Sequence, residues 1–219
     1  MKLHQYLWLL LDTYQPLLSV KTEKCLALTF DDGPDPKHTP LLLDLLSKLD
    51  AKATFFLVGQ QAEKYPGMTK EIIAQGHEVA NHSWSHSLAL LQSKKRMCYE
   101  IEKTQSVLED ITGVLPRWFR PPFGIFGLGM EALLEERGLK PILWTQSLWD
   151  FRSQSQERLI KYFKRGLKSG AIYLMHDGAF KANYCDRHQT IKLLESQIPS
   201  SLKKGYQCVT LSTLMGGSL

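Results

Sequence analysis

The chain has 219 residues, of which 43% are hydrophobic and 22% are charged, a composition that argues against a disordered chain and is typical of one globular domain. Its formal net charge is +5, and the lysines and arginines lie in helix-like segments such as residues 158–168. No uninterrupted basic tract is present, so solvated helix faces are favoured over a nucleic-acid-binding surface. Attraction to an anionic glycan or membrane surface stays open.

The first 23 residues predict a leader helix that packs on the domain. Their apolar core, residues 6–11, is interrupted by Asp12, so it is too short for a membrane span. No convincing small-residue cleavage site follows, which argues against a signal peptide. An interfacial helix is the alternative. We therefore expect no transmembrane span and favour a cytoplasmic location, with association with the cell envelope as the second choice.

The four cysteines form no C-x-x-C pair, and a domain of this size does not need disulfides for stability. They are interpreted as buried or incidental thiols, which favours a reducing compartment. A bridge between Cys25 and Cys208 stays open, because both lie in strand-like segments.

From residue 24 onward, apolar runs of strand length alternate with amphipathic helical patterns. The predicted strands cover residues 25–30, 53–58, 77–80, 141–144, 170–175 and 207–211. The predicted helices cover residues 39–49, 68–75, 90–111, 130–137, 157–167 and 188–194, the first with Thr39 as its N-cap. This alternation predicts parallel strands joined by crossovers, which close as a barrel or wind as an open sheet.

The first strand ends in two adjacent carboxylates, Asp31 and Asp32, which Gly33 and Pro34 follow. Adjacent side chains on a regular strand point to opposite faces. A strand end loosened by glycine and proline can instead aim both carboxylates into one cleft. Two carboxylates in one cleft attract a cation.

Two histidines, His82 and His86, follow the third strand in the segment His-Ser-Trp-Ser-His, a spacing that puts both rings on one side of a turn. We predict that Asp32, His82 and His86 bind one divalent metal ion and leave the open coordination position that a hydrolase needs. Oxygen and imidazole ligands favour zinc and also suit cobalt, nickel or iron. The other histidines of the amino-terminal half and His188 are interpreted as ordinary core or surface residues.

Together with Arg120-Pro-Pro-Phe-Gly and Leu174-Met-His-Asp-Gly, these motifs resemble the polysaccharide deacetylase family, the NodB-homology domain of carbohydrate esterase family four. The resemblance covers several spaced motifs in the right order, from about residue 25 to residue 214. It implies that residues 24–215 form the catalytic domain, an irregular (β/α) barrel of about seven parallel strands. Each polar cluster follows the carboxyl end of a strand, and those ends converge on one face in a barrel, which favours the same fold.

The resemblance also implies an acid and a base. Asp31 is the candidate general base, and Arg120 holds it ionised and oriented; the alternative is that Asp31 only orients a metal-binding histidine. His176 is the candidate general acid, because a leaving amine departs poorly unless it is protonated. Asp150 is its carboxylate partner by resemblance to the fourth motif of the family.

The fourth motif departs from the family pattern, with Ser147 where an aspartate is usual and Phe151 where a tryptophan is usual. These departures affect the shape of the acceptor site more than the reaction. We interpret Phe123, Trp149, Phe151 and Leu174 as walls for an acetyl methyl group and a sugar face, or equally as ordinary core residues. The resemblance also places the backbone N–H near Phe123 at the oxyanion.

These residues predict a metal-dependent hydrolase that removes N-acetyl groups from N-acetylglucosamine-type units of a glycan, such as peptidoglycan or a chitooligosaccharide. The same fold could instead act on a small amide, a cyclic imide or a formylated lipid-linked sugar. A glycan-binding protein without turnover is a third hypothesis, against which the retained Asp31, Arg120 and His176 argue. A phosphatase is disfavoured because a D-x-D motif is absent. The sequence leaves the glycan, the native metal and the oligomeric state undefined.

Overall fold

The computed structural model describes residues 24–179 and 186–216, without the side chains of residues 89 and 90. The leader predicted over residues 1–23 lies outside the described residues. The strands are β1 Cys25–Asp31, β2 Thr54–Leu57, β3 Glu78–Asn81, β4 Trp118–Phe119, β5 Lys140–Pro141, β6 Gln146–Ser147, β7 Ala171–His176 and β8 Gln207–Val209. The α-helices are α1 Thr39–Lys48, α2 Gly59–Lys64, α3 Pro66–Ala74, α4 Lys94–Thr112, α5 Met130–Glu136, α6 Gln156–Gly166, α7 His188–Lys203 and α8 Leu211–Leu214. In this part of the chain, no helix is both long enough and apolar enough to cross a membrane.

All the strand pairs are parallel, and the strands follow the order β5-β4-β3-β2-β1-β7-β6. The last strand, β8, pairs with the first residues of β1. Among the described strands no ladder joins β5 to β6, so the curved sheet stays open there. The predicted irregular (β/α) barrel of parallel strands is confirmed, and β1 lies at its centre.

Alternate residues of β1 serve two layers of the fold. Leu26, Leu28 and Phe30 pack in the largest core cluster, which includes the buried leucines of α1. Ala27 packs in a second cluster, with residues of β2, β3 and β7. Because side chains alternate along a strand, Asp31 continues on the same side as Ala27. The central strand therefore delivers a carboxylate to the barrel interior at its carboxyl end.

Several elements differ from the sequence-based prediction. The strand predicted over residues 141–144 is reduced to Lys140–Pro141, because the carbonyl oxygens of Ile142 and Leu143 accept hydrogen bonds from Arg120. The helices α2 and α8 and the strands β4 and β6 were not predicted, and α7 continues to Lys203, beyond residue 194. Thr39 is the first residue of α1 and not its N-cap.

The bridge left open between Cys25 and Cys208 is not formed, since Cys208 is a free thiol. Cys208 packs in the largest core cluster. Burial raises the pKa of this thiol to about 12, so it behaves as a small apolar side chain.

Replacing Leu46 by alanine should lower the free energy of unfolding by about 2–5 kcal/mol, because a fully buried leucine leaves a cavity. Leu41 on the same helix is 41% exposed and provides the matched control. Its replacement by alanine should cost about 0.5 kcal/mol or less. Denaturant unfolding of both variants measures the difference, and equal losses would show that the buried face of α1 is misassigned.

Candidate active site

Asp31 and Asp32 both point into one cleft because the chain bends at Asp32, directly after β1. Asp32 has a φ of 75°, in the left-handed region, whereas β1 is regular up to Asp31. Nε2 of His82 lies 3.7 Å from Oδ2 of Asp31 and 3.6 Å from Oδ1 of Asp32. The backbone turn therefore brings two adjacent carboxylates to one imidazole, which a continued strand would not do.

The loop after β3 carries His82 and His86 and is held by hydrogen bonds to its own backbone. The side chain of Asn81 accepts a hydrogen bond from the N–H of Ser83 at 2.9 Å, and Ser83 Oγ accepts one from the N–H of His86 at 3.2 Å. Ser83 and His86 both have left-handed φ values, 66° and 45°. These contacts fix a tight loop that directs both imidazoles toward Asp32.

A buried glutamate on α4 supports the same loop. Both oxygens of the Glu100 carboxylate accept from Ser85, one from the backbone N–H and one from Oγ, each at 2.7 Å. Arg96, one turn earlier on α4, forms an ion pair with this carboxylate at 2.7 Å. Glu100 was missed in the sequence, although it interrupts the apolar face of α4 that Met97 and Ile101 define. A charged residue on a buried helix face is the signal that could have found it.

The ligand atoms of Asp32, His82 and His86 lie within 4.8 Å of one another. Oδ1 of Asp32 is buried, and no described residue donates it a hydrogen bond of good geometry. Nε2 of His86 lies 3.2 Å from this oxygen. A buried carboxylate oxygen facing two imidazole nitrogens is suited to a cation.

The ionisation states of Asp32 and His86 also suit the binding of a cation. Burial lowers the pKa of His86 to about 4, so its imidazole is neutral at pH 7. Burial alone would raise the pKa of Asp32, but the imidazoles of His82 and His86 hold that pKa well below its usual value. A neutral imidazole beside an ionised carboxylate is the state that binds a metal ion.

Arg120 follows β4 and is fully buried. It contacts both Asp31 and His82. Nη1 donates to Oδ1 of Asp31 at 2.7 Å and to Oγ1 of Thr29 at 2.8 Å. Its guanidinium carbon lies 4.0 Å from the centroid of the Phe56 ring. Its own carbonyl oxygen accepts from Nδ1 of His82 at 2.7 Å, which turns Nε2 of His82 into the cleft. One residue thus orients both Asp31 and His82.

His176 is the direct neighbour of Asp31 across the β1–β7 ladder. Nδ1 of His176 lies 2.8 Å from Oδ1 of Asp150, and the backbone N–H of His176 donates to Oδ2 of Asp150. Burial would lower the pKa of His176, but the charge and hydrogen bond of Asp150 raise it above its usual value. The pair therefore favours a charged imidazole.

The sequence did not identify the residues that hold Asp150. Thr190 Oγ1 donates to Oδ2 of Asp150 at 2.7 Å, and Nη1 of Arg187 donates to the carbonyl oxygen of Asp150 at 2.7 Å. Arg187 is buried, and its Nε also donates to the carbonyl oxygen of Gly178. Thr190 and Arg187 stand about 40 positions away in the sequence, so no local pattern indicates the contact.

The predicted wall residues lie partly at the rim of the cleft. Phe123, Trp149 and Phe151 are exposed, whereas Leu174 is buried. The Phe123 ring lies 4.7 Å from that of His86, and the Phe151 ring lies 5.9 Å from that of His176. Apolar rings therefore flank both the Asp32, His82 and His86 cluster and the pair of His176 with Asp150.

Fold and geometry define a class: a (β/α) barrel with an Asp-His-His cluster, a second carboxylate and a histidine–aspartate pair at the carboxyl ends of its strands. The family model described as polysaccharide deacetylase matches residues 19–142. The chain belongs to the polysaccharide deacetylase family.

Relatives of known activity support this membership. A peptidoglycan-N-acetylglucosamine deacetylase of Bacillus cereus is 35% identical over 195 residues, which are 88% of this chain and 89% of that protein. The deacetylase PgdA of Listeria monocytogenes is 37% identical over 91% of this chain, which spans 40% of that longer protein. The solved structure of the peptidoglycan deacetylase PdaC from Bacillus subtilis is similar with a TM-score of 0.77 and 32% identity, over 88% of this chain and 90% of that one.

Replacing Asp150 by asparagine should lower the pKa of His176, because the imidazolium loses its carboxylate partner. In the metal-free wild type, the pKa of His176 should lie above the ordinary histidine value. The stability that this pair adds is fully present below the ordinary pKa and is lost as pH rises through the raised value.

NMR titration of the histidine ring protons measures both pKa values. His77, whose pKa burial lowers to about 4, serves as the internal control and should not move. An unchanged pKa of His176 in Asp150→Asn would show that the carboxylate does not hold the imidazole charged.

Proposed function

We propose that the chain is a metal-dependent deacetylase that hydrolyses the N-acetyl group of N-acetylglucosamine-type units in a glycan. The observation that carries this proposal is the juxtaposition in one cleft of the Asp32, His82 and His86 cluster, the fixed carboxylate of Asp31 and the charged pair His176–Asp150. The named activities of the relatives in Bacillus cereus and Listeria monocytogenes support the same reaction.

Asp32, His82 and His86 would hold one divalent ion. The buried Oδ1 of Asp32, without a hydrogen bond of good geometry from the described residues, fits a cation between it and the two Nε2 atoms. This donor set favours zinc, and cobalt, nickel or iron are the alternatives. When bound, the ion supplies Lewis-acid polarisation of the acetyl carbonyl and lowers the pKa of a water molecule.

We assign Asp31 as the general base that accepts the proton of the attacking water. The alternative was that Asp31 orients a metal-binding histidine from behind. Nδ1 of His82 already donates to the carbonyl oxygen of Arg120, and the pair of Asp31 with Arg120 fixes a carboxylate that points into the cleft. The orienting role behind His82 is thus filled by another group, which supports the base assignment.

We assign His176 as the general acid that protonates the leaving amine nitrogen. Asp31 and His176 are opposite each other on neighbouring strands, so an amide held between them meets a proton acceptor and a proton donor. Asp150 keeps the imidazole charged until the carbon–nitrogen bond breaks. By the family resemblance, we assign stabilisation of the oxyanion to the backbone N–H near Phe123.

The rim residues support a sugar substrate over a small imide. Phe123, Trp149 and Phe151 present exposed rings on which an apolar sugar face can pack. The buried Leu174 forms an apolar wall for the acetyl methyl group. Relatives are named for peptidoglycan and for chitooligosaccharide substrates. A peptidoglycan substrate would require action at the cell envelope, which the sequence placed second to the cytoplasm.

With zinc present, the wild type should release acetate from peptidoglycan or chitooligosaccharides, and a cyclic imide should not be hydrolysed. Asp31→Asn should lower the rate of acetate release by roughly two to four orders of magnitude, because the asparagine side chain cannot accept a proton from water. Its total zinc content, measured by elemental analysis on the same sample, should equal that of the wild type.

His82→Ala is the matched control and should lose the ion of this cleft together with activity. If Asp31→Asn loses the ion and added zinc restores its rate, Asp31 is a ligand and the assigned roles are exchanged. Hydrolysis of the imide without acetate release from either glycan would overturn the substrate class.

Replacing His176 by alanine should abolish turnover of the acetamide and spare an aryl acetate ester, whose leaving group departs without a proton. Parallel steady-state rates on the two substrates measure the difference. A similar loss of rate on amide and ester would show that His176 positions the substrate and that the proton comes from another group.

A further inference from the structure

A second group of ligand-type side chains lies outside the cleft described above, where α1 and α7 begin. It consists of His38, Asp186 and His188, whose ligand atoms lie within 4.8 Å of one another. From this cluster we infer a second metal site that takes a divalent cation of the zinc, cobalt or nickel type. This site does not depend on the proposed function.

The three side chains converge on one oxygen atom. Oδ1 of Asp186 lies 3.0 Å from Nε2 of His38 and 2.5 Å from Nδ1 of His188. The two rings are T-shaped, with centroids 5.3 Å apart, so they approach the carboxylate in different planes. Two imidazole nitrogens and one carboxylate oxygen are a donor set that borderline divalent ions prefer.

His38 is held in the orientation that a metal ligand needs. Its side chain is buried, and Nδ1 lies 2.8 Å from Oδ1 of Asp35. When Nδ1–H donates to Asp35, Nε2 turns its lone pair toward the carboxylate of Asp186. Two acceptors at 3.0 Å repel each other unless a proton or a metal cation lies between them. A carboxylate behind a histidine, as Asp35 is here, commonly orients metal-binding imidazoles.

The site is open on its solvent side. The side chains of Asp186 and His188 are 58% and 51% exposed, which leaves an entry path and room for water ligands. Nζ of Lys37 lies 3.6 Å from Oδ1 of Asp186, and its side chain is 53% exposed. This ammonium can swing into solvent when a divalent ion binds, because surface ion pairs of this kind contribute little free energy.

An ion here would join two distant parts of the chain. His38 precedes α1, in the segment that follows the turn at Asp32, and His188 is the first residue of α7. Arg187 lies between Asp186 and His188 and donates to the carbonyl oxygen of Asp150. The second ion would therefore hold in place the segment that carries a hydrogen-bond donor to Asp150, and it would stabilise the folded state by binding it.

The test uses the full chain, stripped of metal with a chelator and titrated with zinc chloride in a calorimeter, with bound zinc counted by elemental analysis. Wild type should bind two ions, and His188→Ala and His86→Ala should bind one each, because each removes a ligand from a different site. Lys192→Ala changes an exposed residue of α7 and should keep both ions.

Asp186→Asn provides the same test if His188→Ala does not fold. The second site is overturned if wild type binds a single ion that His188→Ala or Asp186→Asn retains, or if these variants still bind two. It is also overturned if the ion lost in them binds the wild type with a dissociation constant weaker than about 10 µM. Loss of zinc in His86→Ala bears only on the first cluster, so the two sites fail or hold independently.

Discussion

A buried guanidinium organises the cleft. Arg120 has no exposure to solvent, and removing such a charge from water costs several kcal/mol unless partners compensate it. The Asp31 carboxylate, the hydroxyl of Thr29 and the carbonyl oxygens after β5 supply that compensation. The same demand ends the strand at Lys140–Pro141 and fixes Asp31 at the end of β1. Because the Arg120 carbonyl also orients His82, the positions of Asp31, the proposed base, and of the Asp32, His82 and His86 cluster depend on one residue.

The cleft concentrates backbone conformations that L-residues rarely adopt. Asp32, Ser83, His86, Phe123 and Trp149 all have positive φ values. Glycine would adopt them without strain, but the cleft needs the side chains at these positions. Such residues cost roughly 1–3 kcal/mol each and persist where the surrounding structure enforces them. Here the side chains of Asn81, Ser83 and Glu100 accept hydrogen bonds from backbone N–H groups of the histidine loop and enforce its shape, so local strain is exchanged for a preformed arrangement of candidate ligands.

The alternation of apolar strands and amphipathic helices was enough to predict parallel strands joined by crossovers. The polar motifs at the carboxyl ends of the strands and the family resemblance then favoured a barrel over an open sheet. The motifs likewise predicted which side chains would meet in the cleft. What the sequence missed depends on contacts between distant residues. The short β6 pairs with β7 over only two positions, and the contact of Thr190 with Asp150 spans 40 residues. His38 and His188, interpreted from sequence as ordinary residues, meet across 150 positions, which only the folded chain reveals.

The central claim is that one aspartate after β1 and two histidines after β3 hold the ion that this family of hydrolases uses. X-ray absorption spectroscopy of His188→Ala, loaded with one equivalent of zinc, tests it most directly. Of the two ligand clusters that the described residues form, that variant keeps the one in the cleft and loses a ligand of the other. The account predicts two imidazole ligands, with oxygen atoms filling the remaining positions, at about 2.0–2.2 Å from the zinc. A spectrum without imidazole scattering, or one dominated by sulfur ligands, would contradict it.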